Sequence, residues 1–360
     1  MNKFVFSMVA TSLVGATSFA TDTEWPELDS ELAALNNAPL TQEAGGPYVN
    51  GWLIGALDWN SDSEATGTTA NDDQGVNVHS LRVNMTGSVG SNYGYVIGFD
   101  FTDTGDMYRT AGNGGTAGNG VPGLTDAYGT FAIGEQVNGK IGIFRTPFLR
   151  SSLIDRNKTL FIDRSFLGGQ YSQRDAGFGL SGEFSRINWE IAIQNGFDGN
   201  GEGWSWGGRV DMDVMGTSSN VEGGYNAAEG TNLNIGFAIQ DDTSDATLGG
   251  ASRDSFQWGF DATLTMEAFS VFGEIVDRDE DVGDNSPYSV GAAYLFGEQY
   301  EAALRYDDWD DLANTTRYNI VVNRYINGHD AKWQLQYSGG SSDVEANEDS
   351  ILSLGLALGF

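Results

Sequence analysis

Tyr93-Gly94-Tyr95-Val96-Ile97-Gly98-Phe99-Asp100-Phe101 decides the fold. Large apolar side chains occupy every odd position, and Gly94, Val96, Gly98 and Asp100 stand between them. A β-strand turns successive side chains to opposite faces, so this segment has one bulky apolar face and one smaller, more polar face. The same period of two recurs along the chain. Leu233, Ile235, Phe237 and Ile239 alternate with smaller or polar residues. Phe256, Trp258, Phe260, Ala262 and Leu264 alternate with Gln257, Gly259, Asp261 and Thr263. Leu352, Leu354, Leu356, Leu358 and Phe360 repeat the pattern near the C-terminus. Working outward, sixteen such segments fall near 47–59, 77–89, 93–101, 124–134, 140–148, 177–184, 187–197, 204–214, 232–241, 255–265, 269–277, 287–296, 300–307, 316–326, 331–338 and 350–360. Pro47 and Pro287 open segments and Pro147 closes one, where a missing N–H costs little.

The connections carry independent information. Those after even-numbered segments are mostly tight, such as Gly90-Ser91-Asn92, Met266-Glu267-Ala268, Gly297-Glu298-Gln299 and Asn327-Gly328-His329-Asp330. Those after odd-numbered segments are longer and more polar, such as 60–76, 102–123, 149–176 and 339–349. Short turns on one side and long loops on the other are the asymmetry of outer-membrane barrels, which also have even strand counts. Residues 215–231 break the rule, being long where a short turn belongs; a missed strand or an insertion would account for them.

Alternation also suits a soluble sandwich, but a sandwich must bury its apolar face and keeps exposed edges. Here the apolar face carries Trp52, Trp59, Trp204, Trp206, Trp258, Tyr300 and Trp333 near segment ends, as at lipid–water boundaries. The opposite faces carry Arg82, Asn84, Asp100, Arg209, Asp211, Asp213, Asp261, Glu301 and Arg305, costly in a dry core and stable in a watery lumen. The expectation is an all-β, transmembrane antiparallel β-barrel of sixteen strands over residues 47–360. A barrel of that size is too wide for its own side chains to fill, so it encloses a channel.

Residues 1–20 read as an export signal that is removed. Lys3 precedes a mostly apolar or small stretch, and Ser18-Phe19-Ala20 fits a small-x-small cleavage site. Residues 21–46 form a periplasmic segment in which Leu28, Leu32 and Leu35 mark one short helix, either a coiled-coil stub that helps hold an oligomer or a plain surface helix. Export and a lipid-facing barrel together predict the outer membrane of a Gram-negative cell, with lipid and lipopolysaccharide as partners. The acidic run Asp307-Asp308-Trp309-Asp310-Asp311 would meet lipopolysaccharide through bridging cations. The chain has no cysteine, hence no disulfide framework and no thiolate chemistry. Fifty acidic residues against 18 basic ones give a net charge of −32, which argues against nucleic acid as a partner.

Lys140, Arg145, Arg150, Arg156, Lys158, Arg164 and Arg174 lie in one stretch with only Asp155 and Asp163 against them. Seven bases against two acids leave a local balance of +5 inside a strongly acidic chain. The stretch covers the fifth strand and the third long loop. Basic groups at a constriction concentrate anions, and arginine forks suit phosphate or carboxylate oxygens. The competing reading is that these bases pin the loop to acidic walls.

Other chemical signals are weaker. Glycines between 112 and 120 are followed by neither a helical pattern nor Gly-Lys-Ser/Thr, so they read as an outer loop rather than a phosphate cradle. Asp277, Asp279 and Asp281 precede Gly283 one place late for a calcium loop, and Tyr288 stands where the bidentate Glu belongs. No metal or cofactor is expected. His79 and His329 are the only histidines. His79 is expected on the apolar face with Leu81 and Val83, and His329 in a turn, neither with an obvious partner for Ser–His or Asp–His chemistry. The expectation is therefore not an enzyme. An outer-membrane barrel enzyme, a structural surface protein, and a general or cation-permissive pore remain the alternatives.

Ile141-Gly142-Ile143-Phe144-Arg145-Thr146-Pro147-Phe148 resembles the F-(K/R)-x-P-F element of the phosphate-selective porin O and P family. Asp126-Ala127-Tyr128, Phe161-Ile162-Asp163-Arg164-Ser165, Arg174-Asp175-Ala176-Gly177-Phe178-Gly179-Leu180-Ser181-Gly182 and Asn195-Gly196-Phe197-Asp198 resemble its other elements, in order. The resemblance implies a sixteen-stranded homotrimeric channel that passes phosphate or other small hydrophilic anions along lumenal bases. It carries over Arg145, Arg164 and Arg174 as motif positions. The family's R-R-x-R-L opening of the second strand is reduced here to Arg82 within His79-Ser80-Leu81-Arg82-Val83. The candidate anion path is thus Arg82, Arg145, Arg150, Arg156, Lys158, Arg164 and Arg174.

Overall fold

The computed structural model describes residues 47–62, 74–102, 123–134, 136–172, 174–196, 203–243, 255–280, 285–343 and 349–360. The expected export signal, the Leu28/Leu32/Leu35 helix, the glycine run 112–120, Asp281, Gly283, Phe197 and Asp198 lie outside them.

Sixteen strands form: β1 (Tyr48–Asp62), β2 (Gln74–Val89), β3 (Tyr93–Asp100), β4 (Gly123–Ala132), β5 (Val137–Arg145), β6 (Arg174–Phe184), β7 (Ile187–Gln194), β8 (Ser205–Met215), β9 (Thr231–Asp242), β10 (Ser255–Met266), β11 (Phe269–Glu280), β12 (Tyr288–Phe296), β13 (Tyr300–Asp308), β14 (Thr316–Asn327), β15 (Ala331–Ser341) and β16 (Asp349–Gly359). Each pairs antiparallel with its neighbours in sequence, and β1 pairs with β16 to close the barrel. The expected all-β transmembrane barrel is therefore the fold.

Strand ends differ from expectation for physical reasons. β5 starts at Val137 and stops at Arg145, short of the expected 148, because Pro147 has no N–H for the ladder and Phe148 turns inward to be buried. β1 runs on to Asp62, pairing Asn60, Ser61 and Asp62 with Ile351, Ser350 and Asp349. Backbone pairing there continues past the apolar band, so no alternation marks it.

The outward faces present Ile193, Leu304, Ile320, Leu335, Leu354 and Leu358, all well exposed. A continuous apolar belt of this kind belongs against lipid. Trp206, Tyr300 and Trp333 also point outward, as expected for interfacial rings. Trp52 does not. It is 4% exposed, its indole N–H donates to Ser80 Oγ at 2.8 Å, and it packs inside with Ile54, Ala56, Ala357 and Ile162. Ile54, Ala56 and Ile162 supply an apolar patch within the lumen, which alternation alone does not distinguish from a lipid face.

His79 is a second correction. Ile54 pairs with Ser80 and Gly55 with Val78, so His79 is the extra residue of a β-bulge. The bulge reverses the alternation and turns His79 inward. Its Nε2 lies 2.9 Å from Asp58 Oδ2 and its Nδ1 3.3 Å from Asp163 Oδ1.

Candidate functional site

Between β5 and β6 the chain leaves the wall and folds into the barrel. This third loop contains the short helix α1 (Arg150–Leu153), a 3-10 turn at Arg156–Lys158 and the helix α2 (Phe166–Gln170). Ser165 caps α2, its Oγ accepting from Gly168 N at 2.9 Å. Three apolar contacts seat the loop on separate arcs of the wall. Phe148, Leu149, Leu167 and Tyr171 pack on Ala238 and Val276. Leu160 and Phe161 pack on Ala293, Ala303 and Val321. Ile162 packs beside Trp52.

A loop crossing a lumen has no strand partner for its carbonyls, and those groups need donors. The arginines supply them. Arg145 donates to Ser152 O, and Arg164 donates to Ser151 O and Ile154 O. Arg156 donates to His79 O at 3.1 Å, to Ile162 O at 3.3 Å and to Asp163 Oδ1 at 2.8 Å. Arg150 donates to Ser219 O at 2.5 Å and Val221 O at 3.1 Å. Lys158 pairs with Asp155 at 3.2 Å. Arg82 and Arg174 both bind Asp126 on β4, and Arg174 also donates to Ser172 O. Each guanidinium presents five donors in a fixed fork, which suits it to this work. The wall contributes as well. Arg305 donates to Asp163 O and Arg164 O at 3.1 and 3.0 Å, and Lys332 to Thr159 O. Gln336 Oε1 accepts from Ile162 N at 2.8 Å, and Glu274 accepts from Ser151 and Ser165 at 2.5 and 2.6 Å.

The structure brings the seven candidate residues into two groups. Arg150, Arg156, Lys158 and Arg164 are bonded within and beneath the third loop. Arg82 and Arg174 share Asp126 on the adjoining wall, and Arg145 stands opposite Arg174 in the β5–β6 register. Lys140 extends that wall, 4.1 Å above the Phe144 ring and paired with Glu190. Asp163 is the more exposed of the loop's two acids, its side chain at 54% against 41% for Asp155. Enclosure in the barrel raises its pKa, but the His79 hydrogen bond and the charges of Arg156, His79 and Arg305 outweigh this and hold the carboxyl well below the usual range.

Two cavities flank the loop. One of about 600 Å³ lies toward the long-loop end between Asp58, His79, Asp163, Arg305, Trp309 and Arg317. One of about 590 Å³ lies toward the turn end, between Asn138, Leu153, Ser181, Glu183, Glu190 and Asp211.

The sequence model of the phosphate-selective porin O and P family matches residues 56–268. The chain belongs to this family. In this porin the matched stretch runs from β1 through β10 and includes every candidate basic residue. Solved structures share the architecture. A loop-deletion mutant of OmpT, an outer membrane protein of Vibrio cholerae, is 12% identical with a TM-score of 0.59 over 88% of this chain and 100% of its own. A multiple mutant of Rhodopseudomonas blastica porin is 16% identical with a TM-score of 0.55, again over 88% and 100%. At such identity the likeness concerns the fold. Comparison with curated proteins gives no match.

Sequence reasoning did not find Glu274, Gln336 and Lys332 as partners of the loop. Their place on inward faces was readable from alternation; that a particular carbonyl would meet them was not. Nor did it find what residues 215–231 do. The porin carries no missed strand there. From Gly216 the connection turns inward, and Glu222 N donates to Lys158 O at 3.1 Å while Glu222 Oε2 accepts from Leu160 N at 2.9 Å. Gly224 N donates to Glu301 Oε1 at 2.6 Å, Tyr225 stacks on Tyr325 at 3.7 Å, and His329 Nε2 lies 3.2 Å from Tyr225 O.

Proposed function

We propose that this porin is a passive diffusion channel for small hydrophilic solutes, and that anions, phosphate among them, are favoured at its narrowest level. The third loop carries the reading: Arg150, Arg156, Lys158 and Arg164, against Asp155 and Asp163, are folded into the barrel lumen, and Lys140, Arg145 and Arg174 flank them on β5 and β6 beside Arg82. The guanidinium groups of Arg82, Arg145 and Arg174 act through the field they set up across lumenal water, while Lys140 and Lys158 stand closer to solute. Arg150, Arg156 and Arg164 hold the loop at the level where that field is applied. The homotrimer implied by the family resemblance belongs to the same proposal, and the mass of the native detergent complex tests it.

One observation favours a second reading, a general or cation-permissive pore. Glu183, Glu190 and Asp211 line the cavity of about 590 Å³, and Asp163 is exposed above the loop. Purified protein in a planar bilayer decides. Steady conductance establishes the channel. A reversal potential of anion sign in a salt gradient, with current reduced by added phosphate, supports the first reading. Cation sign with no response to phosphate overturns it in favour of the second.

A further inference from the structure

The β8–β9 connection spans residues 216–230, while the other described connections at the same end span two to four residues. Its inserted part has three separate attachments. One is to the third loop, through Arg150, Lys158 and Leu160. One is to the wall at Glu301, which also accepts from the Tyr325 hydroxyl at 2.7 Å. One is the stack of Tyr225 on Tyr325, whose ring planes lie 4° apart, with His329 edge-on to both. Gly223 makes the seat possible. Its φ is +83°, and a Cβ there would lie 2.5 Å from Glu301 Oε1 and 2.7 Å from Leu160 Cδ2.

The consequence shows in the space left over. Where the third loop and this connection meet β9–β12, the cavities between them are about 30 and 10 Å³. Against β5–β8 at the same end the cavity is about 590 Å³, while the cavity of about 600 Å³ that reaches β13–β15 lies on the other side of the third loop, toward the long-loop end. Glu301 and Lys332, on the filled side, are 0% exposed.

We infer that residues 216–230 are a second constriction element: entering from the turn end, they close the β9–β15 half of the lumen on the turn side of the third loop, support that loop from beneath, and confine solute there to the wall of β2–β8. Selectivity is then set by the charges of that wall, Lys140, Glu190, Arg209 and Asp211 with the arginines around Asp126. The sealed Glu301 and Lys332 act on the position of the third loop and not on solute. The inference rests on the channel reading, and the two fail differently. If the intact protein does not conduct, the channel reading falls. If it conducts but the connection is irrelevant to the path, only the inference falls.

The test compares single-channel conductance of the intact porin with that of a variant in which a two-residue turn replaces residues 216–230. Conductance about doubles, with larger current noise, because a second half of a wide lumen opens to water. A folded variant, shown by its heat-modifiable migration, with unchanged conductance overturns the inference. Gly223→Val unseats the same segment without shortening it, should the shortened chain not fold, and its conductance moves in the same direction. Thiol modification gives a third readout in this cysteine-free chain. A bulky charged reagent reduces current through Ser181→Cys and leaves current through Thr263→Cys unchanged; the reverse pattern overturns the assignment of the path.

Discussion

Across β2–β8 the inward face is rich in small residues, Gly94, Gly98, Gly177, Gly179, Ser181 and Gly207 among them; across β9–β15 it carries Gln257, Glu274, Glu301, Asn323, Lys332, Gln334 and Gln336. The first half leaves room and keeps it with short side chains. The second half offers long polar side chains, and two inserted segments take their hydrogen bonds. Among the glycines that face inward in the second half, Gly259 is met by the third loop itself, with Leu149 and Phe148 3.0 and 3.1 Å from where a Cβ would sit. One barrel wall thus does two jobs: half of it bounds a passage, and half of it is a binding surface for the protein's own chain.

The largest way to break this contrast is at the border between the halves. Arg209 on β8 bonds both oxygens of Asp261 on β10, at 2.6 and 3.0 Å, and donates to Phe148 O at 2.6 Å. Arg209→Met strands a buried carboxylate and frees the start of the third loop. A loss of about 3–5 kcal/mol is expected, read as a lower urea midpoint in detergent. A midpoint equal to wild type would show that the pair does not hold the border.

Next comes acidification of the filled half. Burial first, and then the charge of Lys332, push the His329 pKa down to about 4, whereas the unfolded chain protonates near 6.5. Between those values the unfolded state takes up a proton that the native state refuses. Stability is therefore full above about 6.5 and falls with pH, by about 3 kcal/mol on reaching pH 4. His329→Gln should flatten that part of the curve. An unaltered pH profile in the variant would show that His329 is not its source.

Tyr325→Phe is milder. It removes the hydroxyl that Glu301 accepts from and leaves the ring stack, so about 1.5–3 kcal/mol is lost, and channel noise rises as the β8–β9 connection loosens. The smallest effect sharpens the contrast from the open side. Lys140→Glu reverses one charge on the passage wall. Two charge units at ~10 Å in screened water change the anion-to-cation permeability ratio by about twofold, toward cations, read from the reversal potential. No change there would move the selective wall elsewhere.

The barrel was legible because its physics is periodic. Alternation over Tyr93–Phe101 or Phe256–Leu264 states which face meets lipid, and the turn–loop asymmetry orders the strands. The errors fall where the period is interrupted or its apolar half is used inside. A single bulge turned His79 from the lipid side to Asp58 and Asp163, and no composition signal announces a bulge. Trp52 looked like an interfacial ring because an inward apolar patch has the same spelling as an outward one. The basic third loop was visible as a charge anomaly. Its reason was only half visible, since a carbonyl without a ladder partner leaves no mark in the side-chain sequence. The length of residues 215–231 was visible too, yet its target, Glu301, lies some 80 residues away and is reached only by closing the cylinder.

That closure has a kinetic side. Fifteen of the sixteen strand pairings join neighbours in sequence, and each can form as a local hairpin. The remaining one, β1 with β16, joins Trp52 to Gly359 and continues through eleven matched positions to Asp62 and Asp349. Until that seam forms, the sheet has two bare edges in a membrane, where unpaired backbone is intolerable. Once it forms there is no end from which to peel the sheet. The molecule should therefore be slow to make and slower to lose, with its lifetime set by one zipper between the first strand and the last.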